Sequence, residues 1–411
     1  MGFPAAYREH YAQHWVLLNS AAFIPVPHAW NAAHSDFQHF TTPARLYTYD
    51  FERLYTNLDH AHLKQLLCDM LQLIFELHPG RGGAASYITV CRDGPASWQY
   101  GPLPHPACIR TADGPGHCFD LASAQAAVCH LIDHSYILVG DRVYRQSIGI
   151  PMGTNPAVYL ANHYLFMLER RFFRSVLDLL HQSPQHSPAS SEALSVLDTF
   201  AYTRRYIDDL ILITFSTAAQ VQQYFYSSTV SPHGIAGIYP DFLRLEGTFQ
   251  EPAISVDFLD LHIGPKMLPD GGYGPLVTCL YDKRRAPAFA AVPIRRFPHF
   301  DSMLSAGCKY GVLGSRLLHM ARVITDPQNF VEEAARFISD MVLSEYSLSE
   351  LLAECGKLML RISTDLGVAS GVLTGQAWAD GQICRPGLYT AIRQAAQLQI
   401  QQARAAARQP Q

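Results

Sequence analysis

Two adjacent aspartates, Asp208 and Asp209, lie between Tyr206-Ile207 and the apolar run Leu210-Ile-Leu-Ile-Thr, and no other stretch restricts the fold as much. β-Branched and aromatic residues on both sides read as two short strands, with the acidic residues at the turn between them. Strands joined so tightly pair antiparallel. Two neighbouring carboxylates in such a place repel each other unless a cation lies between them. Taken alone, the pair also reads as an ordinary solvated turn.

The remainder reads as an α+β chain. At 411 residues, two or three packed units are expected, and 48% hydrophobic with 16% charged residues describes folded protein rather than a disordered tail. Helix-like spacing through Tyr11, Trp15, Val16 and Leu17 precedes a Pro- and His-rich stretch at residues 25–28. A strand over 46–51 leads to a helix over 60–77, and residues 78–117 read as an irregular insertion because Gly, Pro and small polar residues dominate. Helical spacing resumes through Leu121, Ala127 and Leu131, and residues 136–144 form a hairpin turning at Gly140-Asp141. A Gly-rich turn at 149–153 opens a helix over 156–177, a Ser-, His- and Pro-rich linker covers 182–191, and further strands fall at 256–263 and 276–281. Residues 303–366 are helical, and the Gln- and Ala-rich end from Thr390 reads as a frayed helix or a disordered tail.

Composition removes several functions. No run reaches the roughly 18 apolar residues that span a bilayer, and the first residues lack a signal pattern, so no membrane role is expected. Nine cysteines without regular spacing imply reduced thiols inside the cell. Cys91, His105, Cys108, His117 and Cys118 do not have zinc-ligand spacing. A net charge of -4 means that any nucleic-acid surface must be locally basic.

Several segments, in one order, resemble reverse transcriptases of the Penelope-like and telomerase-related group. Tyr206-Ile207-Asp208-Asp209 is similar to the family's Asp-Asp hairpin, and Tyr49-Asp50-Phe51-Glu52-Arg53-Leu54-Tyr55-Thr56-Asn57 to its first aspartate motif. Ser147-Ile-Gly-Ile-Pro-Met-Gly-Thr-Asn-Pro resembles its Gly-x-Pro-Met-Gly turn. Phe258-Leu259-Asp260-Leu261-His262-Ile263 resembles the segment after the hairpin, and Leu280-Tyr281-Asp282-Lys283-Arg284 a thumb-proximal Leu-Tyr-x-Lys stretch. The likeness covers residues 45–350 and implies a right-hand polymerase. Its short N-terminal segment would be 1–45, its palm 46–275, its mainly helical thumb 276–370 and its tail 371–411.

The resemblance implies template-directed addition of deoxynucleoside triphosphates to a DNA primer on an RNA template, with two magnesium ions, or manganese, as cofactor. Asp50, Asp208 and Asp209 would be the catalytic metal ligands, assisted by the main-chain carbonyl of Phe51. Tyr55 would exclude the 2′-hydroxyl of the incoming sugar. Gln146, Gly149, Pro151, Met152, Gly153 and Tyr206 would line the substrate pocket, and Arg244 would neutralise phosphate. Phe258 and Leu259 would grip the primer, with Asp260 paired to a base such as Lys283. Lys283, Arg284, Arg285, Arg295, Arg296 and Lys309 would supply positive charge for the nucleic-acid backbone. For each of these the residues alone also allow a plainer reading: a surface acid, a core aromatic, a loop before a helix, a solvated basic face.

The chain departs from the family pattern in two places. Residues 1–49 contain no lysine and only Arg8 and Arg45, so the fingers that grip the triphosphate are expected to be truncated or atypical. Gly387-Leu388-Tyr389 is too slight for the GIY-YIG nuclease that such elements often carry. An intracellular, nuclear retroelement enzyme is the expectation, and a catalytically inactive nucleic-acid-binding fragment is the alternative.

Overall fold

The computed structural model describes residues 15–34, 44–78, 86–90, 96–101, 110–111, 114–115, 117–151, 154–247, 253–285, 289, 297–369 and 386–406. In chain order these form α1 (Pro25–Ala33), β1 (Arg45–Phe51), α2 (Leu54–Asn57), α3 (His60–Glu76), β2 (Ser86–Val90), β3 (Ser97–Tyr100), β4 (His117–Phe119) and α4 (Leu121–Asp133). There follow β5 (Tyr136–Val139), β6 (Arg142–Arg145), α5 (Ala157–Gln182), α6 (Pro188–Phe200), β7 (Tyr202–Tyr206), β8 (Asp209–Thr214), α7 (Ala218–Gln222) and β9 (Leu245–Gly247). The remainder is β10 (Val256–Phe258), β11 (Leu261–Met267), β12 (Tyr273–Leu280), α8 (Ala306–Val323), α9 (Pro327–Val342), α10 (Leu348–Ala369) and α11 (Pro386–Ala406). No helix among the described residues is long and apolar enough to cross a membrane.

Two compact units result, and neither is contiguous in sequence. The first comprises Met1–Val16, Tyr49–Leu210 and Ser216–Gln250; the second comprises Leu17–Thr48, Ile211–Phe215 and Glu251–Gln411. In the first, α3 packs on α4 and α5, and α5 on α6. The apolar stripe of α3 supplies Leu63, Leu66, Leu67 and Met70, while α5 buries Tyr164, Leu165, Phe172 and Val176, the spacing of a helix with a wide core-facing side. Trp15 closes this core edge-on against Phe173 at 5.3 Å and beside Phe200 at 5.6 Å. A four-stranded sheet of order β9-β1-β8-β7 brings the two aspartate motifs onto neighbouring strands.

In the second unit, β10, β11 and β12 form an antiparallel sheet in that order. Asn31 of α1 clamps β12, donating to the Leu276 carbonyl at 2.9 Å and accepting its N–H at 2.8 Å. α9 is strongly amphipathic, burying Phe330, Ala334, Phe337, Ile338 and Met341, and it packs on α8, α10 and α11.

Six local expectations are corrected. Trp15 to Leu17 is not helical, Val16 forming a bridge with Arg205 instead, and the Pro- and His-rich stretch is itself the start of α1. Proline lacks only an N–H that a first helical turn leaves unpaired, so Pro25 suits its place. The supposedly irregular insertion holds an antiparallel sheet of order β3-β2-β4, because Ser-Tyr-Ile-Thr-Val and Ser-Trp-Gln-Tyr are strand-forming runs inside a Gly- and Pro-rich context. The supposed linker ends early, since Ser187 caps α6 and Pro188 begins it. The strand expected over 256–263 is two strands, β10 and β11, with a turn at Leu259-Asp260. The tail contains α11, whose Ile392, Ala396 and Ile400 recur every fourth residue and are buried.

Candidate active site

The acidic hairpin is built by β7 and β8 with Ile207 and Asp208 alone between them. Ile207 has φ of 58°. A two-residue hairpin favours positive φ at this position because it matches the strand twist, but a β-branched side chain there costs roughly 1–3 kcal/mol. The strained carbonyl is held by Arg205, whose Nη1 donates to it at 2.7 Å. The following strand then runs through Leu210, Ile211, Leu212 and Ile213, all 0% exposed, which anchors the hairpin in the core.

Asp50 reaches the same place from β1. It is exposed, opposite Glu246 of β9 in antiparallel register, so two like charges face each other across the strands. Partial desolvation pushes its carboxyl above the usual range; the charges of Asp208 and Glu246 push in the same direction, against a hydrogen bond from the Phe51 N–H. The Tyr55 hydroxyl is also raised, by burial first and then by Asp208, with Arg205 opposing. Asp50 and Tyr55 are therefore each within electrostatic reach of Asp208. Asp208 and Asp209 are half-buried. Among the described residues, no group of three His, Cys, Asp or Glu side chains is arranged to hold a metal ion.

The glycine turn docks on the segment that carries Tyr55. Gly149 donates to the Leu58 carbonyl at 2.8 Å and Ile150 to the Tyr55 carbonyl at 2.6 Å, while His60 Nε2 donates to the Gly149 carbonyl at 2.7 Å. Gly149 has φ of +78°, and a Cβ there would lie 2.4 Å from the Tyr55 carbonyl oxygen. Only glycine fits, on both conformational and steric grounds. Gln146 donates from Nε2 to the Ile148 carbonyl at 2.9 Å, and its Oε1 is buried without a hydrogen-bond partner. A cavity of about 300 Å³ adjoins this turn, with Gly149, Ile150, Pro151, Thr154 and Leu160 in its wall. Phe51 is buried with its ring edge-on to Tyr239 at 4.9 Å, and Tyr206 is half-buried at the end of β7. Arg244 is exposed, and its carbonyl accepts the Glu52 N–H at 2.8 Å. Met152 and Gly153 lie outside the described residues.

The residues expected to grip primer and backbone belong to the second unit, and most are committed elsewhere. Phe258 is 3% exposed and packs on Phe23, so its ring serves the core rather than a nucleic acid. Leu259 is the turn residue of the β10–β11 hairpin, with φ of 57°. Asp260 does not pair with Lys283: its Oδ2 lies 2.6 Å from His319 Nε2, and Ser20 also hydrogen-bonds it. Lys283 is exposed in a short 3-10 turn that includes the backbone of Arg285, whereas Arg284 is tied to Asp282 through Nη2 at 2.8 Å. Lys309 is buried, its ammonium donating to the Phe300 carbonyl and lying 5.0 Å from that ring. Arg295 and Arg296, like Cys91, His105 and Cys108, lie outside the described residues.

Four residues that adjoin or support the acidic hairpin were not singled out from the sequence: Arg205, Glu169, Tyr239 and Glu246. A signal for Arg205 existed. In β7 alternate residues point inward, and counting from Thr203 places a charged side chain at a core position. Such a conflict between polarity and position marks a residue with a specific partner.

No protein-family model matches the chain, and no curated protein matches it. Among solved structures it is similar to telomerase from Candida albicans in complex with a TWJ fragment of telomeric RNA, at 13% identity and a TM-score of 0.53 over 94% of this chain and 54% of that one. It is also matched to apo telomerase from Candida tropicalis, at 14% identity and a TM-score of 0.41 over 95% of this chain and 52% of that one. The chain thus spans about half the length of these telomerase chains. At such identity the first likeness speaks for architecture: this is a mixed helical and antiparallel-sheet fold similar to that of telomerase.

Proposed function

We propose that the chain is a reverse transcriptase of a Penelope-like retroelement, an RNA-directed DNA polymerase that extends a primer 3′ end on an RNA template. One observation carries the reading: Asp50, Asp208 and Tyr55 gather at a strained two-residue hairpin, beside a glycine turn no side chain can enter. The telomerase-like fold supports it at the level of architecture, and the neighbour solved with RNA supports an RNA partner. In this reading residues 46–275 are the palm and 276–370 the thumb, working in the nucleus.

The primer 3′-hydroxyl attacks the α-phosphorus of a deoxynucleoside triphosphate in line. A new P–O bond forms as the bond to pyrophosphate breaks, and the hydroxyl proton passes to solvent water. The donor set suits magnesium, which prefers carboxylate oxygens and keeps several waters, so few protein ligands are needed. The upward push of Asp208 and Glu246 on Asp50 marks excess negative charge that a cation relieves. Asp50 and Asp208 would hold two magnesium ions, or manganese, with Asp209 and the Phe51 carbonyl beside them; when bound, the ions stabilise the attacking and leaving oxygens. Tyr55 excludes the 2′-hydroxyl, the Gly149 turn seats the segment that carries Tyr55, and exposed Arg244 offers charge to the triphosphate.

Primer extension on an RNA template tests this directly, with wild type beside Asp208→Ala. Extension by the wild type alone is expected. Equal extension by both proteins, or by neither across several templates and divalent metals, overturns it and leaves a nucleic-acid-binding fragment as the reading.

A further inference from the structure

Arg205 is sealed from solvent, its side chain 0% exposed and that of its partner Glu169 4%. A guanidinium offers five N–H donors in a planar fork, and here each finds an acceptor. Nε donates to Glu169 Oε1 at 2.5 Å, Nη1 to Asn162 Oδ1 at 2.8 Å and to the Ile207 carbonyl at 2.7 Å. Nη2 donates to the Asn162 carbonyl at 3.3 Å and Glu169 Oε2 at 3.2 Å. Tyr239 adds its hydroxyl to Glu169 Oε1 at 3.2 Å, and the Arg205 backbone N–H donates to the Trp15 carbonyl at 2.7 Å. Burial pushes the Glu169 carboxyl up, against Arg205 and Tyr239, which hold it down.

A buried ion pair is weak grounds for stability, because well-packed apolar side chains often do as well or better. A network so completely satisfied is better explained by what it positions. The bond to the Ile207 carbonyl goes to the residue with positive φ, one position before Asp208. We infer that Arg205 is a positioning residue: its fork, oriented by Glu169, Asn162 and Tyr239, holds Ile207 in the left-handed region and so fixes the Asp208 carboxylate against Asp50. Glu169 acts through Arg205 and touches neither substrate nor metal. The inference rests on the reading of these aspartates as the catalytic site.

Arg205→Lys keeps the charge but loses the planar fork, and Ile207→Gly removes the steric penalty of positive φ. Three readouts apply: hydrogen exchange of the 203–209 peptide, manganese binding followed by electron paramagnetic resonance, and the split between kcat and KM in primer extension. Arg205→Lys should speed hairpin exchange, weaken manganese binding and lower kcat, each by about tenfold, with KM for the deoxynucleotide within about twofold. Adding Ile207→Gly should recover most of the manganese affinity and kcat. Should Arg205→Lys fail to fold, Glu169→Gln carries the same measurements with a smaller expected effect.

Wild-type exchange and manganese affinity in Arg205→Lys overturn the inference, as does a loss that Ile207→Gly leaves unmoved, since that marks general destabilisation. A wild type that extends no primer while Arg205→Lys still loosens the hairpin and weakens manganese binding overturns the polymerase reading and supports the positioning role.

Discussion

Two hairpins in this molecule share a turn and differ in everything that surrounds it. Ile207-Asp208 and Leu259-Asp260 each place a branched aliphatic residue at positive φ, 58° and 57°, immediately before an aspartate. In the first unit burial, and then the charge of Asp208, raises the pKa of both Asp50 and Tyr55. In the second, burial would raise the Asp260 carboxyl, but hydrogen bonds from His319 and Ser20 outweigh it and hold the group below its ordinary range. The same local geometry thus presents concentrated negative charge in one case and a neutralised carboxylate in the other. Partners, rather than the turn, separate a candidate metal site from a structural contact.

The largest effect that can break this contrast is catalytic. Asp208→Ala should lower primer extension by at least about 1,000-fold, several kcal/mol of transition-state stabilisation. Asp260→Asn should leave kcat within about threefold, because its partners already satisfy it. Steady-state kinetics of both variants decide, and comparable losses would erase the distinction. Next in size is selectivity: Tyr55→Val should raise ribonucleotide incorporation up to about 100-fold, the range a single hydroxyl commands in an apolar pocket. Competition between ribo- and deoxynucleotides measures it, and unchanged discrimination would move the gate elsewhere.

Stability gives the smaller tests, with opposite signs for Asp260 and for Asp50, the strand residue beside the first hairpin. The Asp260 pKa is depressed in the folded protein, so its contribution is present above the unfolded value near 3.8 and is lost as pH falls through the folded one. Asp260→Asn should therefore cost stability at pH 7, by less than about 1 kcal/mol because the pair is partly exposed, and nothing in strong acid. Asp50 behaves oppositely. Its raised folded value means that stability is lost as pH climbs from the unfolded value through the folded one, and the penalty is complete at neutral pH. Asp50→Asn should raise Tm at pH 7 by no more than about 2 °C while abolishing extension, and the gain should vanish in acid. Denaturation of both variants across pH checks the two signs.

Much of this fold was legible residue by residue. The β5–β6 hairpin turns at Gly140-Asp141 as Gly-Asp between apolar runs requires, with Gly140 at φ of 59°. α3, α5 and the helices from α8 to α10 follow from apolar spacing. Composition misled where a short pattern lay inside a biased stretch, as with β2 and β3 in Gly- and Pro-rich sequence; the Gln- and Ala-rich end allowed a helix, and α11 is one, with a buried face. Lys309 and Arg284 misled differently, because a basic residue looks alike whether it is solvated or paired.

What the sequence by itself determined is the acidic hairpin, the strand bearing Asp50 and the glycine at 149, since strand, turn and positive-φ preferences act over a few neighbouring residues. Only the tertiary structure decided what those residues face. Arg205 meets Glu169 across 36 positions, His319 meets Asp260 across 59, and His60 meets Gly149 across 89. Hydrogen bonds and charge fall off within a few ångströms in space and carry no trace of separation along the chain. That is why two hairpins alike in sequence could acquire opposite electrostatic character.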